Sequence, residues 1–203
     1  MTGDVAAAEG AIAAMSDWAT RLDATLWKMM ATCWKGQLLI ERGEFGRGVE
    51  LISQTLVACE RSGWQMYYVQ FLSCLAEGLA GLGRLEEAGS TLERAIAWAG
   101  NNEEGWYQAE LMRMKGELML RQSKTPPAIE AEKCFRTANE IAREQGALFW
   151  ELRIAISLAQ LCAAEGRHDE MRRTFARVYT RFTEGFDAPD LRAARALLDG
   201  LSA

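Results

Sequence analysis

The chain alternates amphipathic stretches of helical length with short polar turns, and one unit of this pattern occurs four times. Each unit has an apolar helix end, a polar turn and a new amphipathic helix, as in LLIERGEFGRGVELI and GLAGLGRLEEAGSTL. The turn positions are Gly43, Gly83, Ser123 and Gly166, spaced 40, 40 and 43 residues apart. The third interval is longer because a Lys-Thr-Pro-Pro turn adds three residues. A period of this length is typical of stacked helix hairpins.

Side chains of matching size occupy matching positions in the four units. Seven residues before each turn stand the small residues Gly36, Ala76, Gly116 and Ala159. Sixteen residues before each turn stand the large rings Trp27, Tyr67, Tyr107 and Trp150. The second helices align Ile52, Leu92, Phe135 and Phe175, followed three residues later by Thr55, Ala95, Ala138 and Val178. The small column predicts close approach of the two helices of a hairpin, and the second-helix columns predict one buried face.

The predicted fold class is therefore all-α, an α-solenoid of about four tetratricopeptide-like helix hairpins of about 40 residues each. The expected organisation is a leftover helix of a preceding repeat at 1–22, repeats at 23–62, 63–102, 103–146 and 147–186, and a C-terminal capping helix at 187–203. The apolar stripe of that capping helix is Leu191, Ala194, Leu197 and Leu198. Stacking such hairpins buries faces that no hairpin can bury alone.

The N-terminal helix, expected from Asp4 to Ala19, has lost its hairpin partner and carries Ile12, Met15 and Trp18 on one side. An apolar helix face without a partner predicts that the chain self-associates through this N-terminal helix. Met1 is either a natural start or a fragment boundary. The sequence alone leaves these two alternatives open.

Composition narrows the class of protein. Of 203 residues, 49% are hydrophobic and 25% charged, with three prolines, which favours ordered helix. No apolar run reaches the ~20 residues of a membrane span, and the N-terminus lacks the basic start of a signal peptide, so a cytoplasmic protein is expected. Five cysteines without a CxxC spacing predict reduced core thiols. A net charge of −5 argues against direct nucleic-acid binding.

Catalytic motifs are absent from the sequence. No GxxxxGK[ST] phosphate loop occurs, and the nearest fragment, GEFGRG, lies at a repeat turn. His168 is the only histidine, which excludes a histidine metal pair within one chain. The seven tryptophans are expected in the core rather than in a ligand cage. We therefore predict a chain without catalytic residues, cofactor or metal.

Charged clusters have simple structural interpretations. The carboxylate pairs Glu86-Glu87, Glu103-Glu104 and Glu130-Glu132 fall near predicted helix starts, where negative charge complements the helix dipole. Arginines also recur every four residues on the second helix of the last repeat, at Arg173, Arg177 and Arg181. This stripe is suited to an acidic partner or a phosphate, but the favoured interpretation is a solvated face balanced by Asp169, Glu170 and Glu184.

The first helices of tetratricopeptide arrays line a concave groove, where equivalent positions of successive units lie side by side. Two columns of mainly polar residues, six and thirteen positions before the turns, therefore supply the predicted partner-binding groove. Its candidate residues are Gln37, Gln70, Glu77, Glu110, Glu117, Arg153 and Gln160. The alternative is that these residues are simply the polar side of amphipathic helices. If they do form the groove, its chemistry favours a basic or amide-rich extended segment.

Three stretches of the sequence carry a family resemblance: YQAELMRMKGELMLRQ, ANEIAREQGALFWELRIAISLAQLCAAEGR and the ending YTRFTEGFDAPDLRAARALLDGL. They resemble the C-terminal tetratricopeptide-like region of large bacterial signalling ATPases. In those proteins the repeats follow a P-loop NTPase module, itself preceded by a class III adenylate or guanylate cyclase or a winged-helix domain. The resemblance extends from about Trp27 to the end, and it implies a regulatory role within a multidomain signalling protein. None of the catalytic residues of that family has a counterpart position here.

Two functions from different classes follow. The leading hypothesis is a noncatalytic interaction or regulatory module whose partner is a protein or peptide segment. The rival is the sensor region of a nucleotidyl cyclase or signalling ATPase whose catalytic domains lie upstream. A solenoid that binds a small molecule is the third alternative.

Overall fold

The structure is a computed structural model that describes residues 4–63, 65–101, 105–122 and 128–200, without the side chains of 168–171, 174, 199 and 200. All its regular elements within these ranges are helical, ten α-helices and one short 3₁₀ helix, and consecutive helices pack as neighbouring pairs. This confirms the predicted all-α class of packed hairpins. The chain divides into two compact units, residues 4–103 and 104–203.

The first unit consists of five helices: α1 (Val5–Arg21), α2 (Thr25–Glu41), α3 (Phe45–Ser62), α4 (Tyr68–Gly81) and α5 (Leu85–Asn101). Each packs against the next along the chain, and α2 also contacts α4. The first helices of two successive hairpins are therefore neighbours within this unit.

The second unit begins with the 3₁₀ helix Gly105–Tyr107 and continues with α6 (Gln108–Gln122), α7 (Ala128–Glu144), α8 (Leu148–Ala164), α9 (His168–Tyr179) and α10 (Pro189–Gly200). Here α6 contacts α8 as well as α7, and α10 packs on both α8 and α9. Leu191 and Ala194 of α10 are buried against a cluster that includes Phe175, with Leu197 and Leu198 partly buried beside it. The predicted apolar stripe of α10 thus faces the core.

Three of the predicted turns share one backbone structure. Gly43, Gly83 and Gly166 have φ values of 80°, 75° and 74°, in the left-handed region that glycine adopts without a Cβ penalty. In each turn the next residue donates its N–H to a carbonyl five positions back, as in Glu44 to Leu39 at 2.9 Å. This Schellman-type arrangement ends the first helix and redirects the chain into the second. The fourth predicted turn, Ser123, lies outside the described residues.

The small-residue column lies where helices touch, as predicted. A Cβ placed on Gly36 of α2 would stand 2.5 Å from Ile52 Cγ1 of α3. A Cβ on Gly116 of α6 would stand 2.6 Å from Phe135 Cε1 of α7. Both distances are too short for real carbon atoms, so the two helices of each hairpin approach as closely as they do because these positions are glycine. All eight residues of the second-helix columns are buried.

The prediction that the tryptophans are core residues is wrong for Trp18, Trp27 and Trp106, whose exposed fractions are 69%, 53% and 46%. Among the four large rings that precede the turns, Trp27, Tyr67, Tyr107 and Trp150, burial is greatest where two of these rings contact each other. Tyr107 stacks edge-on against Trp150, with ring centroids 5.5 Å apart, and is buried. Ring size alone therefore did not determine burial in this column.

Helix α1 begins at Val5 and is capped by Asp4, whose carboxylate accepts a hydrogen bond from the Ala7 N–H at 2.9 Å. It packs against α2, and Ile12 and Met15 of its predicted apolar side are half-buried. The rest of that side, around Trp18, stays open to solvent.

Candidate partner-binding site

In the first unit, the predicted groove residues meet where α2 contacts α4. The Gln70 amide donates to Gln37 Oε1 at 3.3 Å, and Gln37 in turn donates to Glu41 Oε1 at 2.8 Å. Gln37 is buried, which leaves little of its side chain for a partner. Glu77, two helical turns beyond Gln70 on α4, is exposed. The accessible predicted residue of this unit is therefore chiefly Glu77.

In the second unit, Glu110 does not line an open surface. Its side chain is only 2% exposed and accepts two hydrogen bonds from Arg113, at 2.7 and 2.8 Å. Arg153 of α8 adds an ion pair to the same carboxylate at 2.9 Å. A carboxylate buried between two guanidinium groups joins α6 to α8, and Glu110 is therefore not available to a partner as the sequence suggested.

Arg153 is likewise engaged. Besides Glu110, its guanidinium lies over the ring of Trp150, 5.7 Å from the centroid, and within 3.9 Å of Asp190 on α10. Cation–π and ionic contacts together hold this side chain against its own unit. Its role in the structure is to link α6, α8 and α10.

Glu117 remains partly exposed, and its carboxylate is held in place from two sides. Arg113 donates to Glu117, and the Ser157 hydroxyl of α8 donates to Glu117 Oε1 at 2.9 Å. Arg113 also donates to the Ser157 oxygen at 3.2 Å, which closes the network. One carboxylate of fixed orientation therefore projects at the junction of α6 and α8.

Beside this junction is a cavity of about 450 Å³, which we call the first-helix cavity. Its lining combines the predicted residues Glu117 and Gln160 with apolar side chains and a second carboxylate. The lining residues are Glu117, Leu120, Ala128, Phe135, Ser157, Gln160, Leu161, Ala164 and Glu165. Gln160 and Glu165 are exposed at its rim. Glu165 is paired with Arg167 at 2.7 Å. The arrangement therefore offers an apolar wall with two partly neutralised carboxylates at its edge.

Sequence reasoning missed Arg113 and Ser157. Arg113 stands three residues after Glu110 and four before Glu117, a spacing that brings all three side chains together on one helix. That signal was present in the sequence. Ser157 gave no such signal, because its importance depends on α8 packing beside α6.

The remaining sequence candidates for chemistry have structural roles or lie outside the described residues. Glu86, Glu87 and Glu130 occupy first turns of helices, as predicted, and Arg84 lowers the pKa of Glu87 by a hydrogen bond. The pair Glu103-Glu104 and the side chain of His168 are not among the described residues. Throughout the described ranges no cluster of histidine, cysteine, aspartate and glutamate has the form of a metal site.

All five cysteines are buried thiols, and none of them forms a disulfide. Burial raises the pKa of Cys33 to about 12 and that of Cys59 to about 11. Thiols with such pKa values carry little thiolate at neutral pH and are poor nucleophiles. Among the described helices none is long and apolar enough to cross a membrane.

Comparison with known proteins gives the fold but no family. No protein-family model matches the chain, and no curated protein matches it. The chain is similar to the crystal structure of BtubC (BKLC) from P. vanneervenii, with a TM-score of 0.65 and 14% sequence identity. The match covers 98% of this chain and 88% of that one. At this level of identity the similarity shows that the two chains share a helical fold.

Proposed function

We propose that this chain is a noncatalytic protein-interaction module that receives a basic, extended partner segment at the first-helix cavity. The observation that carries the proposal is the pairing of an apolar wall with two carboxylates, Glu117 and Glu165, at one cavity of the second unit.

A lysine or arginine side chain of the partner matches this arrangement. Such side chains bury an apolar stem while keeping the charged end at a polar edge. Leu120, Phe135 and Leu161 supply a wall for the stem, and Glu117 and Glu165 supply acceptors for the cation. Glu165 shares its carboxylate with Arg167, so it is a partly neutralised acceptor, as Glu117 is. Gln160 at the rim can pair with the backbone of an extended segment through its amide.

The fixed position of Glu117 favours binding further. Arg113 and Ser157 already hold its carboxylate, so little side-chain entropy is lost when a partner cation contacts it. The same two donors reduce its effective charge, which limits the strength of any one contact. We therefore expect affinity to come from several modest contacts along the segment. In the first unit, exposed Glu77 is the corresponding acceptor.

We infer that the module works in the cytoplasm. Five buried cysteines, none of them in a disulfide, suit a reducing compartment. The rival function, a regulatory region of a nucleotidyl cyclase or signalling ATPase, rests on the family resemblance of the sequence. An uninterrupted reading frame upstream that encodes a Walker motif or a cyclase domain would favour the rival.

The binding proposal is tested by fluorescence anisotropy with a labelled nonapeptide of alternating arginine and serine, against a glutamate–serine peptide of equal length. The test variant is Glu117→Gln/Glu165→Gln, which keeps the shape of both side chains. The matched control is Glu86→Gln/Glu144→Gln, which removes the same charge from exposed positions outside the cavity.

We expect the arginine–serine peptide to bind and the glutamate–serine peptide not to bind. The affinity of the test variant for the basic peptide should fall about fivefold to tenfold, because each partly screened charge contact contributes under ~1 kcal/mol. The control should lose less than about twofold by the same reasoning. Circular dichroism should show equal helix content in all three proteins. Equal affinity of test and control variants, or binding of the acidic peptide, would contradict the proposal.

A further inference from the structure

A second cavity of the same unit has the opposite electrostatic character. It has a volume of about 620 Å³ and lies among α7, α8 and α9. Its charged lining is formed by Arg136, Arg143, Arg177, Arg181, Glu140 and Glu151. We call it the arginine cavity. It shares no lining residue with the first-helix cavity, so the two sites can be tested separately.

Two of its guanidinium groups are already paired. Arg181 donates to Glu151 Oε2 at 2.6 Å, and that carboxylate is only 3% exposed. Arg136 is paired with Glu132 on its own helix. The buried Glu151 holds Arg181 in one orientation, and the remaining N–H groups of Arg181 can still donate.

Arg143 of α7 and Arg177 of α9 differ from these two, since neither forms a hydrogen bond or ion pair with any residue in the described part of the chain. Both are exposed, and they line the cavity from two different helices. Arg177 belongs to the arginine stripe seen in the sequence, whereas Arg143 comes from another repeat. The lining has two more guanidinium groups than carboxylates, although Arg136 is paired with Glu132 outside the lining. Excess positive charge of this kind is suited to an anion.

The floor of the arginine cavity is apolar. Leu158, Cys162 and Val178 are buried there, at 9%, 4% and 6% exposure. Half-buried Asn139 adds an amide donor beside them. A cavity of this volume falls in the range of small-molecule sites, about 300–1,000 Å³. An inorganic ion would fill little of a cavity of about 620 Å³, whereas an organic body would fill more of it and contact the apolar floor.

We infer that the arginine cavity binds a small phosphate monoester that carries an apolar or aromatic body. A phosphate monoester has a charge of about −1.5 to −2 at pH 7, which the exposed guanidinium groups of Arg143 and Arg177 can balance. Guanidinium groups bind phosphate through paired, charge-assisted hydrogen bonds. Arg143 and Arg177 would hold the phosphate, Arg181 and Asn139 would add donors, and the apolar floor would contact the body.

The test is calorimetric titration with three probes: phenyl phosphate, inorganic phosphate and phenol. The test variant is Arg143→Gln/Arg177→Gln, and the matched control is Arg61→Gln/Arg192→Gln, which removes two exposed guanidinium groups outside the cavity. Circular dichroism shows whether each variant keeps its helices.

We expect saturable binding of phenyl phosphate, weaker binding of inorganic phosphate and none of phenol. The test variant should lose about tenfold in affinity for phenyl phosphate and the control under about twofold, and added salt should weaken binding. Absence of saturable binding, equal losses in the two variants, or phosphate or phenol binding as tightly as phenyl phosphate would overturn the inference.

Discussion

Substitution of Gly36 tests how closely α2 and α3 pack. Gly36 lies inside the 17-residue helix α2, and an added Cβ would stand 2.5 Å from Ile52 Cγ1 and 3.2 Å from the Gly48 carbonyl oxygen. The second contact is with backbone, so a rotamer change of Ile52 cannot relieve both. Gly36→Ala must therefore move the two helices apart or strain the Ile52 side chain.

Gly10 provides the matched control, because it lies inside the 17-residue helix α1 of the same unit and nothing stands within 4 Å of its added Cβ. Each Gly→Ala change gains about 1 kcal/mol of helix propensity. Overpacking a well-filled core costs about 1–3 kcal/mol. We expect Gly10→Ala to stabilise the protein, and Gly36→Ala to be about 1–3 kcal/mol less stable than Gly10→Ala.

Urea denaturation followed by circular dichroism measures both changes. Ile52→Ala alone should be destabilising because it leaves a cavity, by about 2–5 kcal/mol. In the double variant Gly36→Ala/Ile52→Ala the new methyl group occupies part of that cavity, so the two costs should be less than additive. Strict additivity, or equal stability of Gly36→Ala and Gly10→Ala, would refute the packing argument.

Three further predictions concern charge, thiols and the N-terminal helix. Arg113→Met should cost about 3 kcal/mol in urea denaturation because it weakens a buried ion pair, whereas Arg84→Met, in an exposed pair, should cost under ~1 kcal/mol. Burial raises the pKa of the Cys33 thiol from 9.0 to about 12, so this thiol loses its proton in the unfolded state before it does in the folded state. The free energy of unfolding should therefore fall as the pH rises from 9.0 to about 12, and it should fall less steeply in Cys33→Ala. Trp18→Glu should reduce any self-association seen by sedimentation, whereas Trp27→Glu, at a tryptophan of α2 that is also exposed, should not. Identical behaviour of the two variants would exclude α1 as the contact.

Much of the fold was predictable because it depends on local pattern. The glycine turns at Gly43, Gly83 and Gly166 end helices through backbone conformation, which the residue type controls directly. The buried second-helix face follows from a 3.6-residue period that any helix imposes. Exposure of Trp27 was not predictable in this way, since burial of a ring depends on what the tertiary fold packs against it.

The candidate site was predictable only in part. The sequence identified Glu117 and Gln160, and both line the first-helix cavity. It also proposed Glu110 for a partner, although the structure buries that carboxylate between Arg113 and Arg153. A glutamate on a helix has the same sequence signature whether it faces solvent or a buried arginine.

The sequence by itself determined the helical hairpins, their turns and the small residues at their crossings, because each depends on neighbours within one or two helical turns. Only the tertiary structure decided which charged side chains form ion pairs between helices and which remain accessible at a cavity. Arg177 and Arg181 lie four residues apart in one stripe, yet Arg181 is paired with buried Glu151 and Arg177 faces the arginine cavity. The difference comes from α8, whose position beside α9 places a carboxylate within reach of one guanidinium group and apolar side chains near the other.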